Sequence, residues 1–256
     1  MSLCIHLGPI LKQQFHNGRS ECRGGEIWKS TSAALFNGNE AIVKLLLENG
    51  AEVNAKGGRF GNALQAALFN GNEAIVKLLL DNGADVNVDG GMYGNALQEA
   101  AVSFLGNAEI VKLLLENGAE MNTESVILGN ALQAASFSGN EVIVKLLLEN
   151  GMEVNAEGGE YGHALQAASF HGTKTIVELL LEIGAEVTAE GGRYGNVLQA
   201  ASFRGDEGIV KLLLDNGAEV NAEGGEYGNA LQAASFQGNN SAPFSSSSFT
   251  ITSYPS

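Results

Sequence analysis

Cys4, His6, His16 and Cys22 are side chains of the types that ligate zinc, and they cluster at the start of the chain. Their spacing fits no common zinc site. His163 and His171 stand at opposite ends of one short predicted helix, too far apart to share an ion. The Gly57-Gly58-x-x-Gly61 run has the outline of a phosphate loop, but it lacks the lysine and the preceding strand. It also recurs along the chain, as a hairpin turn would. The many glutamates suit solvated faces better than acid and base pairs. No serine, histidine and aspartate set, nor a cysteine and histidine pair, stands in a recognisable context. The chain is therefore expected not to be an enzyme and to use no metal or cofactor.

Composition narrows the partners. A net charge of −15 and an isoelectric point of about 4.6 argue against a phosphate-binding surface, because nucleic-acid affinity depends on clustered lysine and arginine. No apolar run approaches the length of a membrane span, and no signal-peptide core precedes residue 18. Two cysteines give no disulfide framework, which favours an intracellular site, cytoplasmic or nuclear.

What organises the chain is repetition. Gly-Asn-Ala-Leu-Gln falls at Gly61–Gln65, Gly94–Gln98, Gly129–Gln133 and Gly228–Gln232, with variants at Gly162–Gln166 and Gly195–Gln199. Successive anchors lie 33, 35, 33, 33 and 33 residues apart. A unit of this size cannot bury its apolar face alone, so the units are expected to stack into one elongated core.

Each unit carries two helix signals. In Glu40–Glu48, Ile42, Val43, Leu45, Leu46 and Leu47 cover an arc of about 200° at 100° per residue. Asn39 can cap the first turn, Glu40 suits its positive end, and Gly50 can take the left-handed position after the last. The other helix, Asn62 to Phe69, is shorter, with Asn62 as cap and Ala63, Ala66 and Ala67 permitting close packing. Between Val86 and Tyr93 the chain is too rich in glycine for helix and reads as an extended segment turning at Gly90-Gly91.

With these elements in order, the chain resembles an ankyrin-repeat protein. The family's Thr-Pro-Leu-His and following Leu-Ala-Ala appear as Asn62-Ala63-Leu64-Gln65 and Ala66-Ala67. Its Ile-Val-Lys-Leu-Leu-Leu and Gly-Ala-Asp-Val-Asn runs appear at Ile75–Leu80 and Gly83–Asn87. Asn62 and Gln65 can supply the bonds that the family's threonine and histidine make. The Gly-Asn-Ala-Leu-Gln-Ala-Ala-Ser variant is similar to repeats of fungal multidomain proteins that join a NACHT nucleotide switch to an ankyrin sensor. The resemblance implies an all-α solenoid, each unit a hairpin plus an antiparallel helix pair.

Full units are placed at 24–56, 57–89, 90–124, 125–157, 158–190 and 191–223, with a partial unit at 224–238. Residues 1–23 read as an irregular lead, Trp28 as a possible N-terminal cap, and 239–256 as a disordered serine-rich tail. The partial unit keeps its first helix without the second. That open end suggests a truncated product, a fragment of a longer protein, or a partner. The third unit has two extra residues, which predict a bulge or irregular turn between Val102 and Asn107.

Variation between units marks candidate contacts. Phe36, Phe69, Phe104, Phe137, Phe170, Phe203 and Phe236 form one column, read as packing. The next column changes, through Asn70, Leu105, Ser138, His171 and Arg204, and the resemblance puts it on the concave groove used for protein recognition. Hairpin tips supply a second varied set: Arg59, Met92, Ile127, Glu160, Arg193 and Glu226, beside Glu157, Glu190 and Glu223. The acidic later tips predict a partner with a basic patch, bound by a monomer of this chain. Two roles fit: a sensor segment of a larger signalling protein, or a free-standing adaptor or inhibitor that masks a partner's site.

Overall fold

The computed structural model describes residues 39–237, apart from 59, 89, 91, 92, 104–106 and 172. The lead, Trp28, Phe36, Phe104 and the serine-rich tail lie outside the described residues. Within them, α1 (Glu40–Glu48) is followed by α2 (Ala63–Phe69), α3 (Glu73–Asp81), α4 (Ala96–Val102), α5 (Ala108–Glu116), α6 (Ala131–Ser138) and α7 (Glu141–Glu149). Then come α8 (Ala164–His171), α9 (Lys174–Glu182), the two-residue strands β1 (Glu190–Gly191) and β2 (Gly195–Asn196), α10 (Val197–Arg204), α11 (Glu207–Asp215) and α12 (Ala230–Gln237). Even-numbered helices are the first of each unit and odd-numbered ones the second.

Local chemistry sets the ends of the second helices. Asn39, Asn72, Asn140 and Asp206 each accept a hydrogen bond from the amide three residues on, satisfying one donor that a helix start leaves open. At the other end Asn49, Asn82, Asn117, Asn150 and Asn216 donate through Nδ2 to the carbonyl four residues earlier, at 2.7–2.8 Å. A left-handed glycine follows each of them, Gly50 being the first. In the central unit Ile143, Val144 and Leu147 are completely buried, while Lys145 and Glu141 close an ion pair at 2.5 Å on the open face.

Extended segments turn as hairpins between units. Glu190 pairs with Asn196 and Gly191 with Gly195, and single antiparallel bridges join Gly90 to Gly94, Ser125 to Gly129, Gly158 to Gly162 and Gly224 to Gly228. Successive hairpins touch through the backbone. The amides of Glu160, Arg193 and Glu226 donate to the carbonyls of Ile127, Glu160 and Arg193 at 2.9, 2.7 and 2.8 Å. Such proximity needs glycine at the tip: Gly192 has φ 61°, and a Cβ there would collide with the backbone of Tyr161 and Gly162.

First helices present alanine and serine to one another and pack closely, whereas second helices present leucine and stand further apart. The array therefore curves with its first helices and hairpins on the inside. The third unit does not lengthen its first helix. Helix α4 ends at Val102, and Ser103 turns out of it with ψ 126°. Counted from the shared Ala-Leu-Gln, Val102 rather than Phe104 takes the place that Phe137 holds in α6, and it is buried there.

Candidate functional site

The inner surface is held in register by a buried column of glutamines. Asn130 caps α6, and the Gln133 carbonyl accepts from the Asn130 amide at 2.6 Å. The Gln133 Nε2 donates to the carbonyls of Ala156 and Gly162 in the next unit, at 2.9 and 2.6 Å. Gln65, Gln98, Gln166 and Gln199 reach the following hairpin in the same way. In Gln98, Gln133 and Gln166 both ends of the amide are used, which fixes the spacing and the rotation of neighbouring units. Gln65 and Gln199 donate across the joint but leave their buried side-chain oxygens without a hydrogen-bond partner among the described residues. The expected substitution of Asn62 and Gln65 for the family's cap residues is what the structure contains.

Upon this frame lies a continuous run of rings. Phe137, Tyr161, Phe170, Tyr194, Phe203, Tyr227 and Phe236 alternate between helix ends and hairpins, with successive centroids 4.6–5.5 Å apart. Burial pushes the phenols of Tyr161 and Tyr194 well above their ordinary pKa, so both stay neutral. The phenylalanine column is thus a packing ladder, with tyrosines between its rungs. Leu128 interrupts the tyrosine column in the fourth unit.

Beside the ladder the side chains change. The Ser138 hydroxyl stands 3.0 Å from the carbonyls of both Ala101 and Ala135, and its single O–H donates to one or the other. His171 lies against Phe137 and Phe170, its ring 4.6 Å from that of Phe137. Burial against those rings, and then the nearby Arg204, hold its pKa below the usual imidazole value, so the ring is mainly neutral at pH 7. Arg204 is exposed and cationic at the end of α10. Along this line the array offers a hydroxyl, a neutral imidazole and a guanidinium.

At the tips the carboxylates are not equivalent. Arg193 bonds Glu160 in the preceding hairpin at 2.9 Å and Glu226 in the following one. That hydrogen bond holds the Glu226 carboxyl below the usual carboxylate range. Glu160 and Glu226 are therefore partly neutralised, and Glu157, Glu190 and Glu223 remain as the exposed acidic row. In the fourth unit the tip is apolar instead, with Val126 92% and Ile127 44% exposed.

Of the sequence-derived candidates, Ser138, His171 and Arg204 share one line on the inner face, with Asn70 at the end of α2. Ile127, Glu160, Arg193 and Glu226 form the backbone-linked tips. Arg59, Met92 and Leu105 lie outside the described residues. The tyrosine column and the role of Arg193 as a bridge were not foreseen. A tyrosine directly before four of the six anchors, Tyr93, Tyr161, Tyr194 and Tyr227, was the available signal for the first. Glu99 was also passed over: it stands where other units have alanine, is 1% exposed, and accepts from the Tyr93 amide at 3.3 Å.

Among the described residues no group of three or more histidine, cysteine, aspartate or glutamate side chains could hold a metal ion, and no helix is long and apolar enough to cross a membrane. A family model described as ankyrin repeats in three copies matches residues 31–125 and 101–191, and a single ankyrin repeat matches 196–224. The crystal structure of the human ASB11 ankyrin repeat domain is similar to this chain at 29% identity and a TM-score of 0.69. The alignment covers 84% of this chain and 93% of that one. No curated protein matches significantly.

Proposed function

The chain belongs to the ankyrin-repeat family, whose members are in general non-enzymatic scaffolds for protein–protein interaction, and from that premise we propose that it recognises a protein partner by its inner-helix line and hairpin tips. One observation carries the reading. An almost invariant frame of glutamines and rings presents a single line, Ser138, His171 and Arg204, on which the chemistry changes from unit to unit. Specificity on such a surface comes from complementarity at fixed spacing. The partner carries a basic patch that meets Glu157, Glu190 and Glu223, and a hydrogen-bonding or acidic feature that meets His171 and Arg204. The protein acts inside the cell as a monomer. Its near-identical units suit a recognition segment of a larger signalling protein of the NACHT type. A nucleotide-binding segment encoded upstream in the same transcript would support that context, and its absence would favour a free-standing adaptor.

The test uses a partner recovered by pull-down and surface plasmon resonance. Glu157, Glu190 and Glu223 changed together to Gln should slow association and flatten its salt dependence, since exposed charges steer encounter but add little stability. Arg193→Ala releases Glu160 and Glu226 and should speed association. His171→Ala with Arg204→Ala should act through faster dissociation. If all three bind with unaltered rates while Lys145→Ala with Glu149→Ala on the outer helices abolishes binding, the groove is not the site.

A further inference from the structure

We propose that the asparagine–glycine pairs closing the second helices are sites of spontaneous deamidation that the fold holds shut, so that local unfolding commits a unit to a covalent change the array does not reverse. Asn49, Asn82, Asn117, Asn150 and Asn216 each precede a glycine. The reaction runs fastest in that sequence, because glycine sets no side chain beside its own nitrogen. Having shed its proton, the glycine nitrogen attacks the asparagine Cγ. A new C–N bond closes a five-membered imide, the Cγ–Nδ2 bond breaks, and the nitrogen leaves as ammonia. Water then opens the imide to aspartate or isoaspartate, with no oxidant, reductant or catalyst required. All five side chains are exposed, so water has access and burial gives no protection.

Geometry protects them instead. Ring closure needs the glycine nitrogen eclipsed with the asparagine Cβ. In the five caps ψ is 8–17°, which nearly eclipses that nitrogen with the asparagine's own nitrogen and turns it away from Cγ. The proton that must leave is held, since the amides of Gly50, Gly83, Gly118, Gly151 and Gly217 donate to leucine carbonyls three residues back at 2.9–3.0 Å. The leaving group is held too, each Nδ2 bonding the carbonyl four residues earlier at 2.7–2.8 Å. All three restraints belong to the helix end and vanish together when it opens. The product does not fit the place. Aspartate has no donor for that carbonyl and sets a negative charge against the negative end of the helix. Isoaspartate adds a methylene to the main chain just before a left-handed glycine. A converted unit therefore opens more readily and, because units stabilise their neighbours, exposes the next pair. Each conversion adds one negative charge to the −15 of the chain. At the end of α9 the same place is held by Ile183, with ψ 8° and no amide to lose, so that helix end escapes.

The experiment incubates the intact protein at body temperature and mildly alkaline pH, folded in buffer and unfolded in concentrated urea. Each pair is followed by proteolysis and mass spectrometry, with isoaspartate resolved by chromatography. In urea all five pairs should convert at similar rates. In the folded protein Asn82, Asn117 and Asn150 should convert more slowly by about tenfold or more, the factor being set by how rarely the helix end opens. Urea below the unfolding transition should raise these rates in step with amide hydrogen exchange of Gly83, Gly118 and Gly151. Leu147→Ala, which loosens the array, should quicken Asn117 and Asn150. Chains deamidated in urea and returned to buffer should melt lower than chains unfolded only briefly, and Asn150→Asp should reproduce part of that loss. Equal rates in the folded and unfolded protein, folded rates indifferent to mild urea, or deamidated chains that recover the original midpoint would each overturn the proposal. The rates are read on the unaltered sequence, so they decide the matter even where a variant fails to fold.

Discussion

Gln133 shows how one amide can hold two units together. Its side chain is 1% exposed and meets three backbone groups on two sides of a joint. Gln133→Ala would strand one amide and two carbonyls in a dry site, at a cost of about 2–4 kcal/mol once partial rescue by water is allowed. Urea denaturation should show a lower midpoint, and a glutamine-to-alanine change at the exposed Gln232 should leave it nearly unmoved. The polar role of this column was legible because Asn62 and Gln65 stood where the family places its cap residues. The bridge made by Arg193 was not. Its two carboxylates each lie 33 residues away, and only the stacked hairpins reveal that those distances vanish in space.

Among the elements, helices were legible to within a residue or so, since the leucine triplets, capping asparagines and trailing glycines all agree. Helix α4 is a case in point: two added residues cannot be absorbed by a helix without turning its faces, and the chain leaves the helix after Val102, where the irregular turn between Val102 and Asn107 was expected to begin. The glycine pairs were read as turns, which is half of their use. Their second member also lets one hairpin lie directly upon another. Gly192→Ala should therefore destabilise by more than the usual left-handed strain of about 1–3 kcal/mol, because the backbone of Tyr161 and Gly162 cannot retreat without breaking the Arg193 to Glu160 bond. Gly50→Ala, left-handed but with nothing within 4 Å of the added carbon, should cost only the strain. Thermal unfolding of the two variants compares them.

At the scale of the whole molecule, stability is shared through neighbours. Leu147 is completely buried, and Leu147→Ala should cost about 2–5 kcal/mol. Hydrogen exchange should then quicken in α5 and α9 as well as in α7, because each second helix is covered by those on either side. Loss of protection confined to α7 would contradict a coupled array. The glutamine joints carry a different implication, for heredity. Every joint from Gln65 to Gln199 closes on the same backbone carbonyls of whatever unit follows. Excising residues 150–182, one 33-residue unit, would bring Gln133 against Ala189 and Gly195 and leave no seam. Misaligned recombination between copies of such a gene could therefore shorten or lengthen the array without inventing any contact, resetting the span of the groove while the chain goes on folding as before.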